Sequence, residues 1–162
     1  MQKEKNGREN CMEIRQKNHS GCFTLRAAAL ILRDGCALLA KSDGFDCFYT
    51  IGGGVRQNEA SAEAVLRECR EETGCSFEID RLAFVQERFY TADQVPHHEV
   101  TFFYLMKDGG FAFENGMPTD QSGEHLYWIP VEEMENRKVV PAFLCTALKN
   151  LPIGTVHILS RE

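Results

Sequence analysis

The chain has no CxxC pair, no surplus of basic residues and no apolar run that approaches the length of a membrane span. Each absence removes a class of protein. Seven cysteines (Cys11, Cys22, Cys36, Cys47, Cys69, Cys75 and Cys145) are an odd number with no zinc-type spacing. They read as small buried hydrophobes in a reducing, cytoplasmic setting rather than as a disulfide framework. The longest apolar run, around Ala27–Leu32, is strand-sized, so no membrane partner is expected. The opening MQKEKNGREN has no apolar h-region, and no secretory signal is expected. A formal charge of -6 argues against long nucleic acid as a partner. It leaves room for a small polyphosphate, provided divalent cations stand between carboxylates and ligand. No internal repeat or low-complexity segment is present.

What remains is an ordinary globular composition, 43% hydrophobic and 26% charged over 162 residues. That length is enough for one domain with a sizeable core. Residues 1–20 read as a polar tail, with an edge strand near Cys11–Gln16, and residues 21–162 as the domain. Asp34-Gly35 between two apolar runs predicts a two-residue hairpin. Phe48–Ile51, Arg81–Phe89, Glu99–Lys107, Phe111–Phe113, Glu124–Ile129 and Thr155–Leu159 read as strands, with a polar loop around Pro96. Ala60–Thr73 is the clearest helix, capped by Asn58 or Ser61 at its start and by Gly74 at its end. Val131–Glu135 reads as a short helix and Pro141–Asn150 as a longer one. Many strands with few helices predict an α+β fold.

The densest signal runs from Gly53 to Cys75, GGVRQNEASAEAVLRECREETGC. A glycine is followed after five residues by Glu59 and after seven more by Arg67-Glu68, then by Glu71-Glu72 and Gly74. On a helical wheel Glu68 and Glu72 lie about 40° apart and Glu71 about 60° beyond Glu68, so the three carboxylates share one flank. Val65, Leu66 and Cys69 point toward the core. Like charges at this spacing repel, and a hard divalent cation such as Mg²⁺ reverses the sign. Glu59 precedes the first turn and sits opposite Glu68 on the wheel, which makes it a supporting residue. Gly52, Gly53 and Gly54 allow close approach of a metal or ligand. Neither a Walker loop nor a dinucleotide fingerprint has this spacing.

This string resembles the Nudix box, the signature of hydrolases that cleave a nucleoside diphosphate linked to another group. Arg26-Ala-Ala-Ala, Tyr49-Thr-Ile-Gly-Gly-Gly and Trp128-Ile-Pro extend the likeness from about Phe23 onward, as in a compact bacterial-type, MutT-like member. The family commonly has proline where Ile51 stands. The resemblance implies an α/β/α sandwich around a mixed, partly barrel-like sheet. It also implies Mg²⁺, or Mn²⁺, held by Glu68, Glu71, Glu72 and the Gly53 carbonyl, with Arg67 orienting the glutamates. The general base would be Glu71 or Glu68, with Glu124 as a fourth ligand or alternative base and Glu99 a further option. Tyr49 and Phe48 are candidate stacking residues for a base, and Arg26 and Glu99 candidate substrate contacts. His97 and His98 read as polar surface. The partner would be a small nucleotide; nucleoside triphosphates, ADP-ribose, nucleotide sugars and dinucleoside polyphosphates all stay open, as does a homodimer. The competing reading is a Nudix-fold sensor that binds nucleotide without chemistry.

Overall fold

The computed structural model of the chain describes residues 12–162, and Cys11 lies outside that range. Twelve strands run in the order β1 (Arg15–Asn18), β2 (Gly21–Leu30), β3 (Leu32–Arg33), β4 (Cys36–Ser42), β5 (Phe48–Tyr49), β6 (Gly52–Gly54), β7 (Ile79–Ala92), β8 (Val95–Met106), β9 (Met117–Pro118), β10 (Glu124–Pro130), β11 (Val139–Val140) and β12 (Val156–Arg161). Helix α1 (Ser61–Thr73) follows β6, a 3-10 turn (Val131–Asn136) follows β10, and the one-turn helix α2 (Leu144–Ala147) follows β11.

The strands form two mixed sheets. One has the order β1-β2-β8-β7-β12, with β6 also pairing β2; β2–β8 and β7–β12 are parallel. The other has the order β11-β5-β4-β10-β9, with β3 on β4. β2 explains why its sequence is an unbroken apolar run. Ala27 and Ala29 pack in one core cluster with Val65 and Cys69 of α1, while Ala28 and Leu30 pack in a second with Met134 and Leu144. A strand covered on both faces has no polar side to alternate with. Helical elements thus cover both faces of the sheet layer.

Asp34 (φ 50°) and Gly35 (φ 75°) make the expected tight hairpin. Elsewhere the structure departs from the sequence reading. β7 and β8 are longer than expected and join through Asp93-Gln94, both at positive φ. Pro96 therefore sits inside β8, one residue before pairing with β2 begins at His97. Phe111–Phe113 is not a strand. Side chains bond its carbonyls in place of a ladder: Arg33 donates to Phe111 and the Trp128 indole to Phe113 at 3.0 Å. The expected Pro141–Asn150 helix shrinks to α2, because the flanking bonds are three residues apart (Leu144 to Pro141, Lys149 to Thr146).

Helix α1 ends at Gly74, whose φ of 72° supplies the left-handed cap. Its start is capped by neither candidate. The cap residue is Ala60, whose N–H donates to Glu63 at 2.8 Å. Asn58 takes φ 63° to turn the chain, and the Ser61 hydroxyl bonds Tyr104 at 2.7 Å.

Candidate active site

The glycine turn is a strand edge pressed onto β2. Gly52, Gly53 and Gly54 lie opposite Ala28, Ala27 and Arg26. A β-carbon on Gly52 (φ 149°) would overlap the Ala27 carbonyl oxygen and lie 2.7 Å from the Ala28 α-carbon. On Gly53 it would lie 2.6 Å from the Glu68 carboxyl. The first clash is with backbone, which cannot move aside. Gly52→Ala should therefore destabilise the fold by about 3 kcal/mol, read as a lower urea midpoint with unchanged slope. A midpoint within error of wild type would show that the turn tolerates a side chain.

The open space over the glycines receives the acidic side of α1. Glu72 accepts an N–H from Gly52 at 3.2 Å, and Glu68 lies against Gly53. Both carboxylates are buried on the same face as Val65 and Cys69, while Glu71 stands on the exposed margin. The wheel grouped the three by angle; packing separates them by environment.

Arg67 is the more buried cation among them, and Arg56 lies 3.7 Å from Glu71 on the exposed margin. Arg67 donates to Glu59 from Nε at 2.7 Å and from Nη2 at 3.0 Å, to the Gly54 carbonyl at 3.0 Å, to Glu71 at 3.4 Å, and to Glu68. Glu59 also accepts the Arg56 N–H at 2.8 Å, and Arg67 holds its carboxyl below the usual range. The turn at Asn58 carries Glu59 back to the arginine, which the wheel alone placed opposite Glu68.

Glu124, at the head of β10, is buried nearby and accepts hydrogen bonds from the Tyr49 hydroxyl and from Thr119 at 2.9 Å. Burial, then the charge of Glu124, pushes the Glu72 carboxyl up to about 8. Burial also raises Glu68, against the pull of Arg67. These are desolvated anions with one guanidinium among them, an environment that favours protonation or a second cation.

Beside the patch a cleft of about 300 Å³ opens between the sheets, lined by Arg26, Tyr49, Gln86, Arg88, Glu99 and Thr101 among others. Tyr49 links the two, facing the cleft and bonding Glu124. Three of the candidate substrate contacts, Tyr49, Arg26 and Glu99, are thus brought together. Phe48 is not. Its ring packs edge-on against Tyr127 at 5.7 Å in the second core cluster, because neighbours on a strand point to opposite faces. His97 and His98 stack on Tyr90 and Phe89 at 4.7 and 4.2 Å. Gln86, Arg88 and Thr101 were not singled out from sequence. The signal available was the alternation Phe84, Gln86, Arg88, Tyr90 along one face of β7.

The six cysteines within the described residues are free thiols, and burial pushes Cys69 up to about 12. No helix of the described residues is long and apolar enough to cross a membrane.

Two mixed sheets flanked by helical elements, with a glycine turn that receives helix carboxylates, define an α+β protein. The NUDIX domain model matches residues 23–145, and the chain belongs to the Nudix hydrolase family. A MutT NUDIX hydrolase from Burkholderia pseudomallei is 29% identical, with a TM-score of 0.56 over 68% of this chain and 84% of that one. A MutT protein from Bacillus halodurans (16%, TM-score 0.59, 83% and 89% covered) shares the fold. So does an ADP-ribose pyrophosphatase from Streptococcus suis (14%, TM-score 0.55, 83% and 98% covered). Comparison with curated proteins finds no match.

Proposed function

We propose that the chain is a metal-dependent nucleotide pyrophosphohydrolase, which cleaves the phosphoanhydride bond of a nucleoside diphosphate linked to another moiety. The observation that carries this reading is the burial of Glu68, Glu72 and Glu124 around a glycine turn with too little positive charge to neutralise them. Glu68, Glu71, Glu72 and the Gly53 carbonyl would hold Mg²⁺, with Mn²⁺ as a substitute, and Glu124, whose charge is felt by Glu72, would be a fourth carboxylate ligand or the alternative base. The donor set is all oxygen, which suits a hard cation, and Gly53 leaves no side chain in the way. Such an ion, when bound, draws charge from phosphate oxygens and lowers the pKa of water.

The chain's own residues do the rest. Arg67 holds Glu68 and Glu59 in fixed orientation through its planar fork. A carboxylate of α1, Glu68 or Glu71, takes the proton of the attacking water, and burial raises the basicity of Glu68. The Tyr49 hydroxyl keeps Glu124 facing the patch. We take residues 21–162 as one catalytic domain, and the free thiols favour a cytoplasmic setting.

The test is a panel of nucleoside triphosphates, ADP-ribose, nucleotide sugars and dinucleoside polyphosphates with Mg²⁺ or Mn²⁺, products identified by mass. Glu68→Gln should lower turnover at least about a hundredfold while leaving the melting temperature within a few degrees. Full turnover by this variant would overturn the assignment. Tight nucleotide binding without turnover by wild type would point instead to a sensor.

A further inference from the structure

Strand β12 ends one side of the β1-β2-β8-β7-β12 sheet, and its outer edge is bare among the described residues. The Glu162 N–H donates to the Phe89 carbonyl of β7 at 2.8 Å. Backbone groups alternate sides along a strand, so Ser160 and Ile158 also turn theirs toward β7. His157, Leu159 and Arg161 turn their N–H and C=O groups outward. None of these three makes a backbone bond to another described residue on that side. An open row of donors and acceptors is a template for another strand.

The edges elsewhere are guarded. β1, at the far side of the same sheet, is RQKN and places Arg15 and Lys17 in solvent. In the second sheet β9 and β11 are two residues long; Pro118 ends the first and Pro141 follows the second. β12, VHILSR, has neither lysine nor proline and pairs with β7 without a register shift. Five large apolar residues are exposed among the described residues, and three of them lie in or just before β12: Ile153 (95%), Val156 (38%) and Leu159 (59%). An apolar cluster on an unguarded edge marks a surface that a partner covers.

A second copy of the same strand fits that edge. With the two strands antiparallel and Leu159 on the two-fold axis, Leu159 faces Leu159, and His157 of each copy faces Arg161 of the other. These are the residues whose backbone groups turn outward, so each pair exchanges both N–H···O bonds. Directly opposed residues of antiparallel strands share a face, and the two exposed leucines cover each other. Charge agrees with this register. Glu87 of β7 lies 2.9 Å from His157, so a carboxylate stands on the side that receives the other copy's arginine. The free edge of each copy is used up by the other, which closes the assembly at two.

We propose that two copies of this chain pair through β12 into a two-fold dimer whose β12 sheets run on as one. The proposal is independent of the pyrophosphohydrolase reading, because β12 lies beyond residues 23–145, which the family model matches. β12 also supplies the Ser160 and Glu162 that bond Gln86 and Arg88 at the cleft, so the interface adjoins the candidate site.

Sedimentation velocity of the full chain, from about 1 to 500 μM, should show a monomer–dimer equilibrium with a Kd on the order of 10 μM, as suits a small interface. Hydrogen exchange followed amide by amide should find Ile158, Ser160 and Glu162 protected at every concentration. The amides of His157, Leu159 and Arg161 should be protected only where dimer forms. Leu159→Lys should raise the Kd at least about a hundredfold, while the melting temperature of dilute protein stays within a few degrees, because the side chain is exposed in the monomer. Met12→Lys, at an exposed apolar residue ahead of β1, should leave the Kd unchanged. A monomer at all concentrations overturns the proposal. So does a dimer that survives Leu159→Lys, one that leaves the Leu159 amide unprotected, one that Met12→Lys weakens equally, or association that runs past two copies.

Discussion

In the absence of divalent cations at pH 8, Glu72→Gln should melt at a higher temperature than wild type, although with Mg²⁺ present it should hydrolyse substrate at least about a thousandfold more slowly. Glu72 is 4% exposed, and burial with the nearby charge of Glu124 pushes its carboxyl up to about 8. A carboxyl whose pKa is higher in the folded than in the unfolded chain favours folding in its protonated form. That contribution is complete below the unfolded value, near 4.5, and is lost as pH rises through about 8. The loss is on the order of 3–5 kcal/mol across that window, at about 1.4 kcal/mol per pH unit. Glutamine is neutral throughout and keeps an oxygen for the Gly52 N–H. The stability of wild type relative to the variant should therefore fall between pH 5 and 8 when a chelator is present. Added Mg²⁺ should narrow the difference, and more at pH 8 than at pH 5, because binding only to the folded site stabilises it. Melting curves from pH 5 to 8.5, with chelator and with Mg²⁺, decide it. A difference that does not change with pH would mean that Glu72 is not a desolvated anion.

The site was legible in sequence where chemistry depends on local spacing. Gly53 and Gly74 bracket the segment as turn and cap, and helical geometry brings the side chains of Arg67, Glu68 and Glu72 together toward the C-terminal end of α1. What spacing does not carry is environment. Glu71 and Glu72 are adjacent in sequence, yet the sheet edge under α1 buries one and leaves the other in solvent. Glu59 reaches Arg67 only because Asn58 enters the left-handed region, a backbone choice that no periodicity reports. Phe48 and Tyr49 differ by a single step on a two-residue strand, and that step decides between core and cleft. The Gln86 amide meets its partner, Ser160, only through the pairing of β7 with β12. The fold was read in the same way. Asp34-Gly35 carries its own turn chemistry, whereas Phe111–Phe113 has strand-like residues whose backbone is bonded by the distant side chains of Arg33 and Trp128.

Arg67→Ala should destabilise the protein by about 3–5 kcal/mol at pH 7, more than any other single change in the patch. The guanidinium is the shared partner of Glu59, Glu68 and the Gly54 carbonyl, and these three lie on separate parts of the site. Side-chain exposures of 17% for Arg67, 15% for Glu59 and 10% for Glu68 leave little water to replace it. The sign with pH is opposite to that for Glu72. Arg67 holds the Glu59 carboxyl below its ordinary value, so this pair stabilises the fold above the unfolded value and loses that contribution as pH falls through the folded one. The gap between wild type and Arg67→Ala in urea unfolding should therefore be larger at pH 7 than at pH 4. Arg67→Lys keeps the charge as a single point without the planar fork, and should recover only part of the stability. Its turnover should still fall by about a hundredfold, since one ammonium cannot orient Glu59, Glu68 and the turn together. In a double-mutant cycle, Glu59→Gln should cost much less in the Arg67→Ala background than in wild type, with a coupling of about 2 kcal/mol. Additive costs, or an Arg67→Ala gap that does not change between pH 7 and pH 4, would mean that the arginine is a surface charge and not the tie that holds the glycine turn to the acidic helix.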